Sequence, residues 1–199
     1  MRAAVLRHGA MVVDEFPEPA PGPGEVLVAV RACGICGSDL HFLHHGAEFL
    51  ALTEEMRGVP RRAGVELSAD VHMGHEFCAE VISAGPDTDA PVPGTLVTSM
   101  PVLLGASGER RGLSFINDRA AGYGERMVLT ASLLLEVPRG VQADHAALTE
   151  PLAVGLHAVN RSGIRPGDAA VVLGCGPVGL TVIAGLRRAG IAQIGRAHV

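Results

Sequence analysis

Two cysteines three apart open the stretch ACGICGSDLHFLHH, residues 32–45, in which Cys33 and Cys36 are followed by Ser38, Asp39, His41, His44 and His45. Thiol, imidazole, carboxylate and hydroxyl groups at this density are the donors of metal coordination, dithiol redox chemistry or acid–base catalysis. A thioredoxin-like pair needs a βαβ setting of its own, whereas Cys33-x-x-Cys36 follows a strand pattern in a β-rich half. A closed structural zinc site needs a second Cys or His pair at similar spacing, and no further CxxC occurs. A catalytic zinc site needs only three protein ligands and one open position. Cys36 as thiolate, His75 of MGHEF and an acidic group farther along the chain could supply them. His75-Glu76 invites comparison with the HExxH helix of metalloproteases, but position 79 is alanine and HEFCAEVI has the period of a strand, so that reading fails.

A second chemical motif is Gly174-Cys175-Gly176-Pro177-Val178-Gly179. It follows the β-branched run AAVVL and opens a helical pattern. In that setting the first glycine permits a tight turn, the second lets the backbone approach a pyrophosphate, and the third allows close helix–strand packing. The acidic residue that would grip a ribose belongs roughly 20 residues further on, close to the last residue of the sequence, so NAD and NADP are not distinguished.

These residues need a scaffold. EVLVAVRA, EFCAEVISAG, GTLVTSM and GERMVLTA alternate apolar and polar side chains between Gly- and Pro-rich turns, and predict a β-barrel or sandwich to about residue 140. QADHAALTE is helical, PLAVGLHAVNRSG is a second helix ending on Gly163, and Glu150 falls at the break between them. RPGDAAVVLGCGPVGLTVIAGLRRAG then reads as the opening βα unit of a doubly wound sheet. The stretch from Glu48 to Asp70 reads as a charged, solvated loop, with a specificity lid as the sharper alternative. The final IGRAHV, residues 194–199, can be written ATC GGA AGA GCA CAC GTC, an in-frame sequencing-library adapter, and is expected to be foreign to the natural protein.

Composition removes several classes of function. All 16 basic residues are arginine, so Schiff-base lysines and the phosphate-gripping lysine of a P-loop do not occur in these 199 residues. A net charge of −5 without a basic stripe excludes nucleic acid as the expected partner. No apolar run is long enough for a membrane span, and Arg7 interrupts the N-terminal apolar stretch, so a cytoplasmic protein is expected. Four cysteines without an export signal point to thiols rather than disulfides.

GICGSDLH, GHEFCAEV, TEPLAVGLHA and VVLGCGPVGL, in this order, resemble the medium-chain zinc-dependent alcohol dehydrogenases, in particular the sorbitol and polyol dehydrogenase branch. The resemblance implies a mixed α and β chain: a GroES-like β-barrel catalytic domain over residues 1–160, then the truncated start of a Rossmann domain over 161–193. It implies Cys36, His75 and Glu150 as ligands of a catalytic zinc, with Glu76 beside the metal and Asp39 orienting the histidine. Ser38 would contact the substrate oxygen and His41 would end a proton relay. Gly174, Gly176, Pro177, Val178 and Gly179 would hold NAD or NADP. The implied reaction is hydride transfer between a secondary alcohol or polyol and NAD(P), by a homo-oligomer when full length, the present residues being an inactive N-terminal fragment. Many relatives carry a four-cysteine lobe for a structural zinc, but MPVLLGASGERRGLSFINDRAAGYGE has no cysteine. One zinc per chain is therefore expected. Cys33, Cys78 and Cys175, and the histidines at 8, 44, 45, 72, 145 and 157, are expected to be structural. The alternative is a non-catalytic metal-binding or thiol-switch module built on Cys33 and Cys36.

Overall fold

β1 (Arg2–Arg7) and β2 (Ala10–Glu15) form a hairpin whose two turn residues, His8 and Gly9, both take positive φ, 50° and 81°. A turn of that hand matches the twist of the strands it joins. The structure, a computed structural model, describes residues 1–57, 65–105 and 108–197. It divides into two compact units, Met1–Ala147 and Leu148–Val199.

In the first unit the four alternating segments become β3 (Glu25–Gly34), β5 (Glu76–Ala84), β6 (Leu96–Ser99) and β9 (Arg126–Thr130). With β10 (Leu134–Glu136) they form one antiparallel sheet in the order β10-β6-β5-β3-β9. Their inward residues, among them Val26, Val28, Phe77, Val97, Met127 and Leu129, make the larger core, as period-2 burial requires. β4 (Val71–His72) joins the hairpin to give the order β2-β1-β4. β7 (Val102–Leu104) and β8 (Arg110–Gly112) pair within the cysteine-free segment. α2 (Ala143–Ala147) lays Ala146 and Ala147 against Cys78 of β5. That thiol is a packing residue, and burial pushes its pKa up.

Of the loop expected over Glu48–Asp70, the part up to Arg57 is helix, while residues 65–70 are turn and irregular chain. α1 runs from Gly37 to Arg57, and its two halves meet at a kink where His45 has φ −137° and ψ 36°. Exposed Leu40 and Leu52 lie off the buried stripe and blur the period by which an amphipathic helix is recognised. Phe42 and Leu50, on either side of the kink, are both buried in a second core with Leu6, Val71, Met73 and Phe115. Residues 58–64 of the expected loop or lid lie outside the described residues.

His72 on β4 is buried against Phe16, ring centroids 5.0 Å apart. Its Nδ1 makes no hydrogen bond among the described residues. Burial lowers its pKa more than the nearby carboxylates of Asp70 and Asp118 raise it. The unfolded chain therefore takes up this proton first as pH falls. Stability is level above the ordinary histidine pKa of about 6.5 and declines below it, until the folded-state pKa is passed. Urea midpoints measured from neutral to mildly acidic pH should fall, and His72→Leu should flatten that part of the profile.

In the second unit, α3 (Thr149–Ser162) ends on Gly163 in the left-handed conformation, φ 68°. β11 (Ala169–Leu173) leads through the glycine bend into α4 (Pro177–Arg188), as the sequence predicts. β12 (Gln193–Ala197) then pairs parallel with β11, so the unit is βαβ rather than a single βα step. Residues 194–197 of the suspected tail belong to this strand. The boundary expected at 160/161 falls inside α3, and the units part instead at 147/148. α3 goes with α4 because their backbones approach closely: a side chain at Gly155 would stand 2.6 Å from the Thr181 carbonyl carbon and 2.7 Å from the Val182 nitrogen.

Candidate metal centre

Antiparallel pairing brings the two reactive stretches together. β3 and β5 lie side by side with Cys33 opposite Phe77 and Gly34 opposite Glu76, so the end of one strand meets the start of the other. Just beyond these ends, Cys36, His75 and Glu76 each offer a ligand atom, and the three atoms lie within 4.8 Å of one another. Neighbours in a regular strand would point to opposite faces. Here Gly74, at φ 95°, turns the chain immediately before His75, which lets His75 and Glu76 share one side. The approach is tight: a Cβ at Gly34 would stand 2.3 Å from Glu76 Oε2, so only glycine leaves that buried carboxylate its place.

The orientation of His75 comes from Asp39, on the first turn of α1. Asp39 Oδ1 lies 3.5 Å from His75 Nδ1, while Oδ2 accepts hydrogen bonds from the Cys36 N–H at 3.0 Å and the Tyr123 hydroxyl at 2.8 Å. Asp39 is 2% exposed. Burial works to raise its pKa, but His75, Tyr123 and the Cys36 amide together hold it below the usual carboxylate range. Tyr123 is raised in turn by burial and by donating to Asp39. A carboxylate behind a histidine fixes the ring and raises its basicity toward a metal. Tyr123 is the chain's one tyrosine, the signal by which sequence reasoning could have found it. Tyr123→Phe removes one hydrogen bond to a buried charge and is expected to cost about 1–2 kcal/mol of stability and about tenfold in metal affinity, read by urea unfolding and competitive chelation.

Burial raises the Cys36 thiol pKa, and hydrogen bonds from the Ser38 hydroxyl and backbone amide partly offset this. A divalent cation would reverse the balance, because a coordinated thiol loses its proton. A thiolate, an imidazole and a carboxylate suit zinc, and the geometry fits such an ion. Ser38 and His41 stand three residues apart on one face of α1, His41 being exposed. Cys33 points elsewhere: burial pushes its thiol up to about 12, and its Sγ would lie 2.7 Å from a Cβ at Gly122. Glu150 lies in the second unit, in the first turn of α3.

The glycine bend has three distinct environments. Gly174 takes φ 89°; Gly176, with φ −72°, has open space where a side chain would grow; and a Cβ at Gly179 would meet the Gly174 carbonyl oxygen at 2.0 Å. Pro177 and Val178 begin α4, and the first N–H groups of a helix have no partner within it.

Residues 22–139 match the alcohol dehydrogenase GroES-like domain. The chain is 35% identical over 189 residues to an (R,R)-butanediol dehydrogenase of Bacillus subtilis, covering 92% of this chain and 53% of the relative. It is 31% identical over 214 residues to a sorbitol dehydrogenase of Halalkalibacterium halodurans, covering 100% and 54%. The crystal structure of 2R,3R-butanediol dehydrogenase from Bacillus subtilis superposes with a TM-score of 0.79 at 31% identity, over 98% of this chain and 57% of that one. The chain thus spans about half the length of the relatives it matches. No helix among the described residues is long and apolar enough to cross a membrane.

Proposed function

Since the chain belongs to the medium-chain, zinc-dependent alcohol and polyol dehydrogenase family, we propose that it supplies the catalytic half of an NAD(P)-dependent oxidoreductase acting on a secondary alcohol or polyol. The observation that carries this is the meeting of Cys36, His75 and Glu76 within 4.8 Å of one another. When bound, zinc would polarise an alcohol oxygen and lower its pKa, and a nicotinamide would accept the hydride. The chain's own residues do the rest. Cys36 and His75 hold the ion, with Glu150 as third ligand on the strength of its TEPLAVGLHA motif. Glu76 stands beside it as a buried negative charge, Asp39 keeps the His75 ring in position, and Ser38 accepts the alcohol proton as its own hydroxyl proton passes on to His41. His41, exposed one turn along α1, delivers that proton to water. Gly174, Gly176, Pro177, Val178 and Gly179 leave room for a pyrophosphate at the start of α4.

The same proposal includes one catalytic zinc per chain and no structural zinc, a cytoplasmic enzyme, a homo-oligomer when complete, and no turnover by these 199 residues alone. A thiol switch is the weaker reading, since Cys33 is half-buried and desolvation favours its protonated thiol. The test is a longer version with a complete nucleotide-binding domain, loaded with zinc and offered secondary alcohols and polyols with NAD or NADP. Reduced nicotinamide should accumulate with at least one of them. Zinc-loaded enzyme that oxidises none of a broad panel would overturn the reading.

A further inference from the structure

Outside this centre, α1 carries a group of imidazole rings exposed to solvent. His41, His44 and His45 are all exposed. The His41 and His45 ring centroids are 5.2 Å apart with planes inclined at 42°, whereas those of His44 and His45 are 6.4 Å apart. His41 also packs on Phe49, centroids 6.0 Å apart, and Phe49 rests against the second core. One ring of the pair is therefore anchored.

Two imidazoles that each bind a tetrahedral ion through one nitrogen, at about 2.0–2.1 Å, have ring centres about 5 Å apart. The His41–His45 separation has that value. The kink at His45 takes this ring off the regular helical path, so the pairing rests on the observed ring separation and not on residue spacing. We propose that His41 and His45 form a second, exchangeable site for a borderline transition-metal ion such as Zn2+, Ni2+ or Cu2+, with water completing the shell. Two neutral nitrogens in contact with solvent bind more weakly than a buried set containing a thiolate and a carboxylate, so the site fills only after the primary centre. Its functional consequence rests on the proton route proposed above: an ion on His41 occupies the ring that would deliver the proton, and excess zinc slows turnover.

Binding is tested first and alone. Untagged 199-residue chain carrying Cys36→Ala, which disables the primary centre, is titrated calorimetrically with Ni2+ under reducing conditions. One site is expected, with His41→Ala or His45→Ala each weakening it about tenfold or more and His44→Ala changing it less than about twofold, because only the former pair chelates. Far-UV circular dichroism checks that these surface variants stay folded. Equal Ni2+ affinity in a His41→Ala/His45→Ala chain, or an equal loss with His44→Ala, overturns the site. Zinc inhibition is then compared in the longer enzyme with and without His45→Ala. Binding without inhibition would leave the site standing and remove His41 from the proton route.

Discussion

A chain carrying Cys36→Ala or His75→Ala should retain less than about a tenth of the zinc that the unsubstituted chain holds after equal dialysis, measured as metal per mole of protein. Cys36 contributes the softest donor and His75 the ring that Asp39 fixes, so losing either leaves too few ligands within 4.8 Å of one another. The contrast that gives the result its meaning is Cys33→Ala. Cys33 sits only three residues away but is half-buried with its thiol pushed up to about 12, and its removal should leave the zinc content unchanged. Equal loss at 33 and 36 would point to a dithiol site and sink the centre described above. Gly34→Ala is the subtler companion, displacing the Glu76 carboxylate without removing any ligand.

The second large effect separates two glycines that a motif treats alike. Gly179→Ala places a methyl group 2.0 Å from the Gly174 carbonyl oxygen. Because backbone rather than a flexible side chain must yield, α4 is driven off β11 at a cost of about 2–4 kcal/mol. Hydrogen exchange over α3 and α4 should accelerate while the amides of β3 and β5 stay protected. Gly176→Ala meets no atom within 4 Å and has φ −72°, so its fold should be unchanged. In a version with the whole nucleotide-binding domain, however, that methyl group would stand where a pyrophosphate approaches, and dinucleotide affinity should fall about tenfold or more. Normal affinity in Gly176→Ala would show that nothing binds there.

The legible parts of this chain are those where local pattern and tertiary surroundings agree. β3, β5, β6 and β9 alternate because each has one face on the core, and AAVVL followed by Gly-x-Gly-Pro could hardly be anything but a strand, a bend and a helix. α1 was missed although Phe42, Phe49 and Leu50 recur at helical spacing, because the exposed apolar residues Leu40 and Leu52 blur the stripe. Cys36 and His75 were visible as residue types, yet their meeting depends on strand register, which no local window contains. Asp39 was identified through the motif around it. Its partner Tyr123 was not, because 84 residues separate a hydroxyl from the carboxylate it steadies.

The parallel pair β11–β12 carries a further consequence, for handling the protein at the bench. Among the described residues this sheet has two strands, whose outer rims of amides and carbonyls have no strand partner, and Val171 and Leu173 on β11 are 72% and 71% exposed. Rims of that kind recruit other chains. Concentrated preparations of these 199 residues should self-associate through β11 and β12, and a charged side chain in place of Val171 should keep them dispersed.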